Sequence, residues 1–207
     1  MRIDRVVTRG VFSLDGQDFD VDNNVWLIGD DDEVVVVDAP HDAAAIERAV
    51  DGRRVVAIVC THAHNDHVNA AVDLRRAVGA PVLLNPADIV LWRMTHPHDE
   101  PDAELRDGGV VEVAGAPIRL ITTPGHTPGG VCLHVPEAGV VFTGDTLFRG
   151  GPGATGRSFS DFPTILTSIR DRLLTLPPET EVRTGHGDSS TIGAEAADYD
   201  EWVARGH

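Results

Sequence analysis

No lysine occurs in the 207 residues; all 17 basic side chains are arginine. Covalent chemistry through a lysine amine, Schiff bases included, is therefore excluded. Cysteine is nearly absent too, with only Cys60 and Cys132. That count rules out a small disulfide scaffold. Both lie in apolar, strand-like segments and read as buried, inert thiols, although Cys60 stands two residues before a histidine and could ligate. Positive charge is outweighed, 33 acidic residues against 17 basic, for a net charge of −16. Nucleic acid and anionic membranes are thus poor partners, and a small-molecule substrate is expected. No apolar run approaches the ~18 residues of a membrane-spanning helix. The opening MRIDRVVTRG lacks the apolar stretch of a secretory signal, so the expectation is a cytoplasmic protein. Oligomeric state is not legible.

What is present is ordinary in bulk. A hydrophobic fraction of 42% over this length suits one domain, residues 1–207. Strand patterns cover Ile3 to Val7, Asn24 to Ile28 and Val34 to Val37, with a turn at Gly29–Asp32 joining the last two. The unbroken valines of the third suit a strand covered on both faces. Further strands are expected at Val55–Cys60, Pro81–Leu84, Val110–Val113, Ile118–Thr122, Val131–Val135, Val140–Thr143 and Glu181–Arg183. Helical patterns cover Ala43–Val50, Asp66–Val78, Ala87–Met94, Phe162–Leu176 and Ala194–Val203. His96 to Gly109 reads as an exposed polar loop. That loop and Gly150–Phe162 are expected to wall a substrate cleft. The order suits two sheets packed face to face with helices outside.

One hexapeptide stands apart: His62-Ala63-His64-Asn65-Asp66-His67, directly after an apolar strand. Imidazoles and a carboxylate so close together suit zinc or a similar transition metal. Further polar residues follow strands in the same way. His126 comes after Pro124-Gly125, Asp145 after Gly144, and His186 between Gly185 and Gly187. Asp38 follows the valines directly. Strand ends are where a rigid scaffold holds reactive loops. Seven side chains, His62, His64, Asp66, His67, His126, Asp145 and His186, suffice for two metals with three terminal ligands each and one bridging carboxylate. Such a pair, about 3.5–4 Å apart, can polarise a carbonyl and lower the pKa of water toward ~7. The other histidines, His41, His96, His98, His134 and His207, have no comparable company; His96 and His98 read as surface residues within reach of a substrate.

The motifs Thr61–His67, Pro124–Gly129, Phe142–Phe148 and Gly185-His186-Gly187 resemble, in order, those of the metallo-β-lactamase superfamily, its glyoxalase II branch above all. The resemblance spans nearly the whole chain. It implies an α+β fold, a four-layer αββα sandwich of two mixed sheets with helices on the outer faces. It implies one ion on His62, His64 and His126, a second on Asp66, His67 and His186, and Asp145 between them. Asp66 would act in catalysis as well as ligation, beside a metal-bridging hydroxide as the attacking species. Asp38 would orient a ligand. Zinc is the usual ion, with iron or manganese as the branch's alternatives.

The implied reaction is hydrolysis of a small thiol thioester. Arg149 and Arg157, after Asp145, are candidates to hold a substrate carboxylate. The resemblance does not extend to the helical region with which full-length glyoxalase II binds glutathione, so the thiol carrier is open. A mononuclear iron persulfide dioxygenase, using His62, His126 and Asp145, shares nearly these motifs. A metallo-hydrolase of another ester or lactone is a further alternative.

Overall fold

The computed structural model describes residues 1–206; His207 lies outside them. The chain opens on two 13-residue strands, β1 (Arg2–Leu14) and β2 (Gln17–Gly29), paired antiparallel from Arg2 opposite Gly29 to Leu14 opposite Gln17. The turn is Asp15-Gly16, with φ of 54° and 72°. Two positive φ values in a two-residue loop suit the right-handed twist of a hairpin, and Asp-Gly accepts them readily. Only Ile3–Val7 and Asn24–Ile28 read as strand in the sequence. The rest of this hairpin is exposed on most of its surface and lacks a continuous apolar signal.

Next come β3 (Glu33–Val37), α1 (Ala43–Val50), β4 (Arg54–Val59), the single turn α2 (Asn65–Val68), α3 (Ala71–Val78), β5 (Val82–Leu84), α4 (Ile89–Thr95) and β6 (Ala103–Glu104). The second half holds β7 (Val110–Val113), β8 (Ala116–Thr122), β9 (Val131–Val135), β10 (Val140–Gly144), β11 (Leu147–Phe148), β12 (Gly151–Pro152), α5 (Phe162–Ser168), β13 (Glu181–Thr184), β14 (Ser190–Thr191), α6 (Ile192–Ala196) and α7 (Tyr199–Arg205). One sheet has the order β1-β2-β3-β4-β5-β6 and the other β14-β13-β10-β9-β8-β7. Both are mixed: β3, β4, β5 and β6 run parallel, as do β10 and β13, and the other pairings are antiparallel.

The valines of β3 show how these layers stack. Val35 and Val37 join Trp26, Ile28, Ile118, Leu133 and Phe142 in the core between the sheets. Val34 and Val36 point the other way, onto Ile46 of α1, Leu74 of α3 and Trp92 of α4. A third core lies outside the second sheet, where Val141 and Val182 meet Ile165, Ile169 and Trp202. Helix, sheet, sheet, helix: these are the four layers expected. Each fully buried aliphatic contributes roughly 1.5–3 kcal/mol. Among the described residues no helix is long and apolar enough to cross a membrane.

Three elements differ from the sequence pattern for tertiary reasons. The helix read over Asp66–Val78 is two, because the Ala70 N–H leaves the helical ladder and donates to Ala39 O at 3.0 Å. The helix read over Ala194–Val203 is likewise split, at Ala197 and Asp198. The polar loop His96–Gly109 contributes β6 to the edge of the first sheet and buries Leu105.

Candidate metal centre

Five strands deliver polar residues to one place. β3 ends immediately before Asp38 and β4 runs into Thr61–His67, where α2 carries Asp66 and His67. β8 leads to the loop of His126, β10 ends beside Asp145, and β13 ends two residues before His186. Close approach is built in at Gly185: a Cβ there would stand 2.4 Å from Asp145 Oδ1.

His62 Nε2 and His126 Nε2 lie 3.1 and 3.0 Å from His64 Nδ1. His67 Nε2 lies 3.1 Å from His186 Nε2. Asp66 Oδ2 is 3.3 Å from His186 Nε2 and 3.6 Å from His67 Nε2. Asp145 stands between the two groups. Its Oδ1 is 3.4 Å from His67 Nε2, and its Oδ2 is 3.4 Å from His186 Nε2 and 3.6 Å from His126 Nε2. Ligands bound at about 2.0–2.1 Å to a tetrahedral ion lie about 3.3–3.4 Å apart. The spacing therefore suits a cation in each group. Asp145 Oδ1 is buried and accepts no hydrogen bond. A carboxylate oxygen in that position is costly unless a cation meets it. The seven side chains thus fit a pair of metal ions, by distance and by donor type.

Four of the five imidazoles turn Nε2 inward and anchor Nδ1. His67 Nδ1 donates to Asp38 Oδ2 at 2.8 Å, and Asp38 also accepts from Thr61 N and Oγ1. His126 Nδ1 donates to Ala154 O and His186 Nδ1 to Asp22 O, both at 2.8 Å. His62 Nδ1 lies 3.1 Å from Thr61 Oγ1. Such anchors fix the tautomer and aim the free nitrogen. His64 is reversed, with Nδ1 inward and Nε2 buried without a partner.

Charge separates the two groups. Burial, aided by neighbouring imidazoles, holds His62 far below the usual histidine range and His64 down to about 3. Burial opposes protonation of His67 and His186 as well, but the carboxylates outweigh it. Asp145, Asp66 and Asp38 push His67 well up, and Asp145 and Asp66 push His186 up to about 10. Burial alone would raise Asp145 and Asp66; the neighbouring His67 and His186 bring both below the ordinary carboxylate range.

Comparison with known proteins agrees with this geometry. The family model of the metallo-beta-lactamase superfamily matches residues 19–186. The chain belongs to the metallo-beta-lactamase superfamily. It is 33% identical to a probable metallo-hydrolase of Bacillus subtilis, YqgX, over 83% of this chain and 88% of that one. It is 36% identical to a hydroxyacylglutathione hydrolase of Cereibacter sphaeroides over 80% of this chain, but spans only 62% of that enzyme's length. Among solved structures, that of TTHA1623 in a di-iron-bound form superposes with a TM-score of 0.77 at 33% identity, covering 85% of this chain and 93% of that one.

A cleft of about 390 Å³ opens over the centre of this superfamily member. Phe12, Val21, Phe148 and Ala154 line it, with Asp22 and the inner residues. The long hairpin supplies Phe12, Val21 and Asp22, a contribution the sequence reading missed. The expected wall from His96–Gly109 is not there, because that segment is drawn to the β5 edge as β6. His96 packs on Trp92 and meets Val68 O at 2.8 Å. Gly150–Phe162 contributes only Ala154. Neither candidate arginine lines the cleft. Arg149 is exposed and paired with Asp188 at 3.5 Å. Arg157 lies over the Phe19 ring at 4.7 Å and donates to Gln17 Oε1 at 3.0 Å. Cys60 is buried in the outer core of the first sheet, its thiol pushed well up by burial, and belongs to neither ligand group.

Asp88 was also invisible in the sequence. It is fully buried and accepts from Ala63 N at 3.0 Å, Thr127 Oγ1 at 2.8 Å and Gly129 N at 2.5 Å. One carboxylate thereby ties the loop of His62 and His64 to that of His126. Asp88→Ala strands three donors, and charge-assisted bonds contribute about 1.5–3 kcal/mol each at most. We expect a net loss of about 3 kcal/mol, read as a thermal midpoint lower by roughly 6–12 °C. Unchanged unfolding in Asp88→Ala would contradict this role.

Proposed function

We propose that the chain is a binuclear metallo-hydrolase that cleaves a small thiol thioester. The observation that carries this reading is the pair of complete ligand groups sharing Asp145 beneath an apolar cleft. His62, His64 and His126 would hold one ion, and Asp66, His67 and His186 the other. Bound there, two divalent ions supply a hydroxide at neutral pH and polarise the acyl carbonyl.

The chain's own residues do the rest. Asp145, ionised through its imidazole neighbours, holds the two groups in one frame. Asp38 keeps His67 aimed inward. Phe12, Val21 and Phe148 exclude bulk water from an acyl group resting on the site. Zinc suits imidazole and carboxylate donors, and the di-iron-bound relative speaks for iron in a similar site. The hydroxyacylglutathione hydrolase relative supports the thioester. The complete second group favours hydrolysis over a mononuclear iron dioxygenase, which would need only His62, His126 and Asp145.

Turnover of S-lactoyl and S-formyl thiol esters by fully metallated protein tests the reading. Hydrolysis is expected with at least one of them. Inactivity toward every thioester, or oxygen uptake on a persulfide with one iron per chain, rejects it.

The protonation pattern adds a prediction. In the metal-free second group the carboxylates favour a second, charging proton on His67 and on His186, while burial favours the neutral rings of His62 and His64. An ion entering the second group must displace those protons, so its affinity rises with pH and it leaves first on acidification. Calorimetric metal titration in buffers of different ionisation enthalpy should show one loading step releasing more protons than the other. Equal release in both steps would contradict the assignment.

A further inference from the structure

Behind the second ligand group runs a line of side chains that the proposed chemistry does not use. Asn23 of β2 is fully buried. Its Nδ2 lies 3.1 Å from Asp66 Oδ2, 3.3 Å from His67 Nε2 and 3.4 Å from His186 Nε2. Its Oδ1 lies 3.0 Å from His41 Nε2. The other ring nitrogen, His41 Nδ1, lies 3.0 Å from Asn69 Nδ2. The backbone N–H of His41 donates to Asn69 Oδ1 at 2.6 Å.

These contacts have one consistent direction. A backbone N–H can only donate, so the Asn69 atom facing it is the oxygen. The Asn69 amide nitrogen then faces His41 Nδ1 and donates to it. His41 Nδ1 is therefore the acceptor, and in the neutral ring the proton sits on Nε2. Nε2–H donates to Asn23 Oδ1, which leaves the Asn23 amide nitrogen pointing at Asp66. Asp66 Oδ2, the oxygen that faces both imidazoles, is the nearest acceptor there at 3.1 Å.

The backbone is shaped to hold this line. His41 has φ of 62°, the left-handed region that a residue with a Cβ seldom occupies. Its ring lies where β1 carries Gly10, and a Cβ there would fall 2.1 Å from His41 Nδ1. Asn69 sits at the break between α2 and α3. The hydrogen bonds of Asn23, His41 and Asn69 reach no atom of His62, His64 or His126.

We propose that Asn69, His41 and Asn23 form a directional hydrogen-bond relay that positions Asp66 and its two partner imidazoles, and so sets the affinity of the second ion but not of the first. The inference rests on the two-metal reading above. His41 and Asn23 are positioning residues; neither is required to touch substrate.

The test is zinc binding by the full chain, measured against a chromophoric chelator, with zinc per chain counted by elemental analysis. His41→Ala is compared with His41→Gln, whose terminal amide can offer an N–H near the place of Nε2–H. Both are also made in a His126→Ala background, where only the second group is complete. Partners that orient a ligand typically change metal affinity about 10- to 100-fold. His41→Ala should weaken the second ion by that factor, leave the first within about twofold, and be largely rescued by His41→Gln.

A misfolded His41→Ala would lose both ions, in which case His41→Gln decides: two ions at near wild-type affinity support the relay, and selective failure to rescue overturns it. Unchanged affinities in His41→Ala, or equal losses at both sites in folded protein, also overturn it. Wild-type protein that binds a single ion removes the two-metal reading and the relay together. Wild-type protein with two ions and an indifferent His41→Ala removes the relay alone.

Discussion

Asp145→Ala is expected to lower kcat/KM for a thioester at least about 1,000-fold, equivalent to about 4 kcal/mol of transition-state stabilisation. The size follows from the position of this carboxylate. Its Oδ1 faces His67, and its Oδ2 faces both His126 and His186, at 3.4–3.6 Å. No other described side chain touches both groups through separate carboxylate oxygens. Alanine removes one negative charge and two ligand atoms from the point where the ions would meet. A metal ion contributes several kcal/mol to charge stabilisation in reactions of this type. Asp145→Asn keeps the shape and one oxygen but not the charge, so an intermediate loss is expected. Steady-state kinetics alongside metal counts check both variants. Activity of Asp145→Ala within tenfold of wild type would show that the carboxylate does not join the two groups.

Stripping the metals should lower the thermal midpoint by roughly 15–30 °C. A ligand held 1,000-fold above its dissociation constant stabilises the fold by about 4 kcal/mol per site. Two sites give about 8 kcal/mol, and each kcal/mol shifts the midpoint of a chain this size by roughly 2–4 °C. The site itself gives the same sign. His62, His64, Asp66 and His67 are all buried, and Asp145 Oδ1 accepts no hydrogen bond. In metal-free protein these groups must be satisfied by protons or by water. Calorimetry before and after exhaustive chelation, followed by reloading with zinc, checks this. A change under about 3 °C would mean that the cluster is a self-satisfied polar network.

The candidate ligand set was legible in the sequence because its members are chemically conspicuous and follow strand ends. His62 to His67 is dense enough to stand out unaided, a glycine precedes Asp145, and glycines flank His186. The double-faced burial of β3 was legible for a similar reason: four consecutive valines suit no half-exposed strand. The supporting residues were not legible. Asn23, Asp88 and Asn69 stand in unremarkable sequence surroundings, with Asp88 39 and 41 residues from Thr127 and Gly129 and Asn69 28 residues from His41. His41 has no candidate ligand beside it in the sequence to mark it. The hairpin that roofs the cleft was half seen. Asp18, Asp20 and Asp22 alternate with Phe19 and Val21 in the exposed first half of β2, so apolar content understated it. The two arginines failed as cleft residues because Phe19, Gln17 and Asp188 provide nearer partners.

Anomalous diffraction from crystals of the metal-loaded protein bears most directly on the central claim. Two peaks about 3.5–4 Å apart are expected. One should lie within coordinating distance of His62, His64 and His126, the other of Asp66, His67 and His186, with Asp145 touching both. A single peak on His62, His126 and Asp145, with nothing bound at Asp66 and His186, would contradict it.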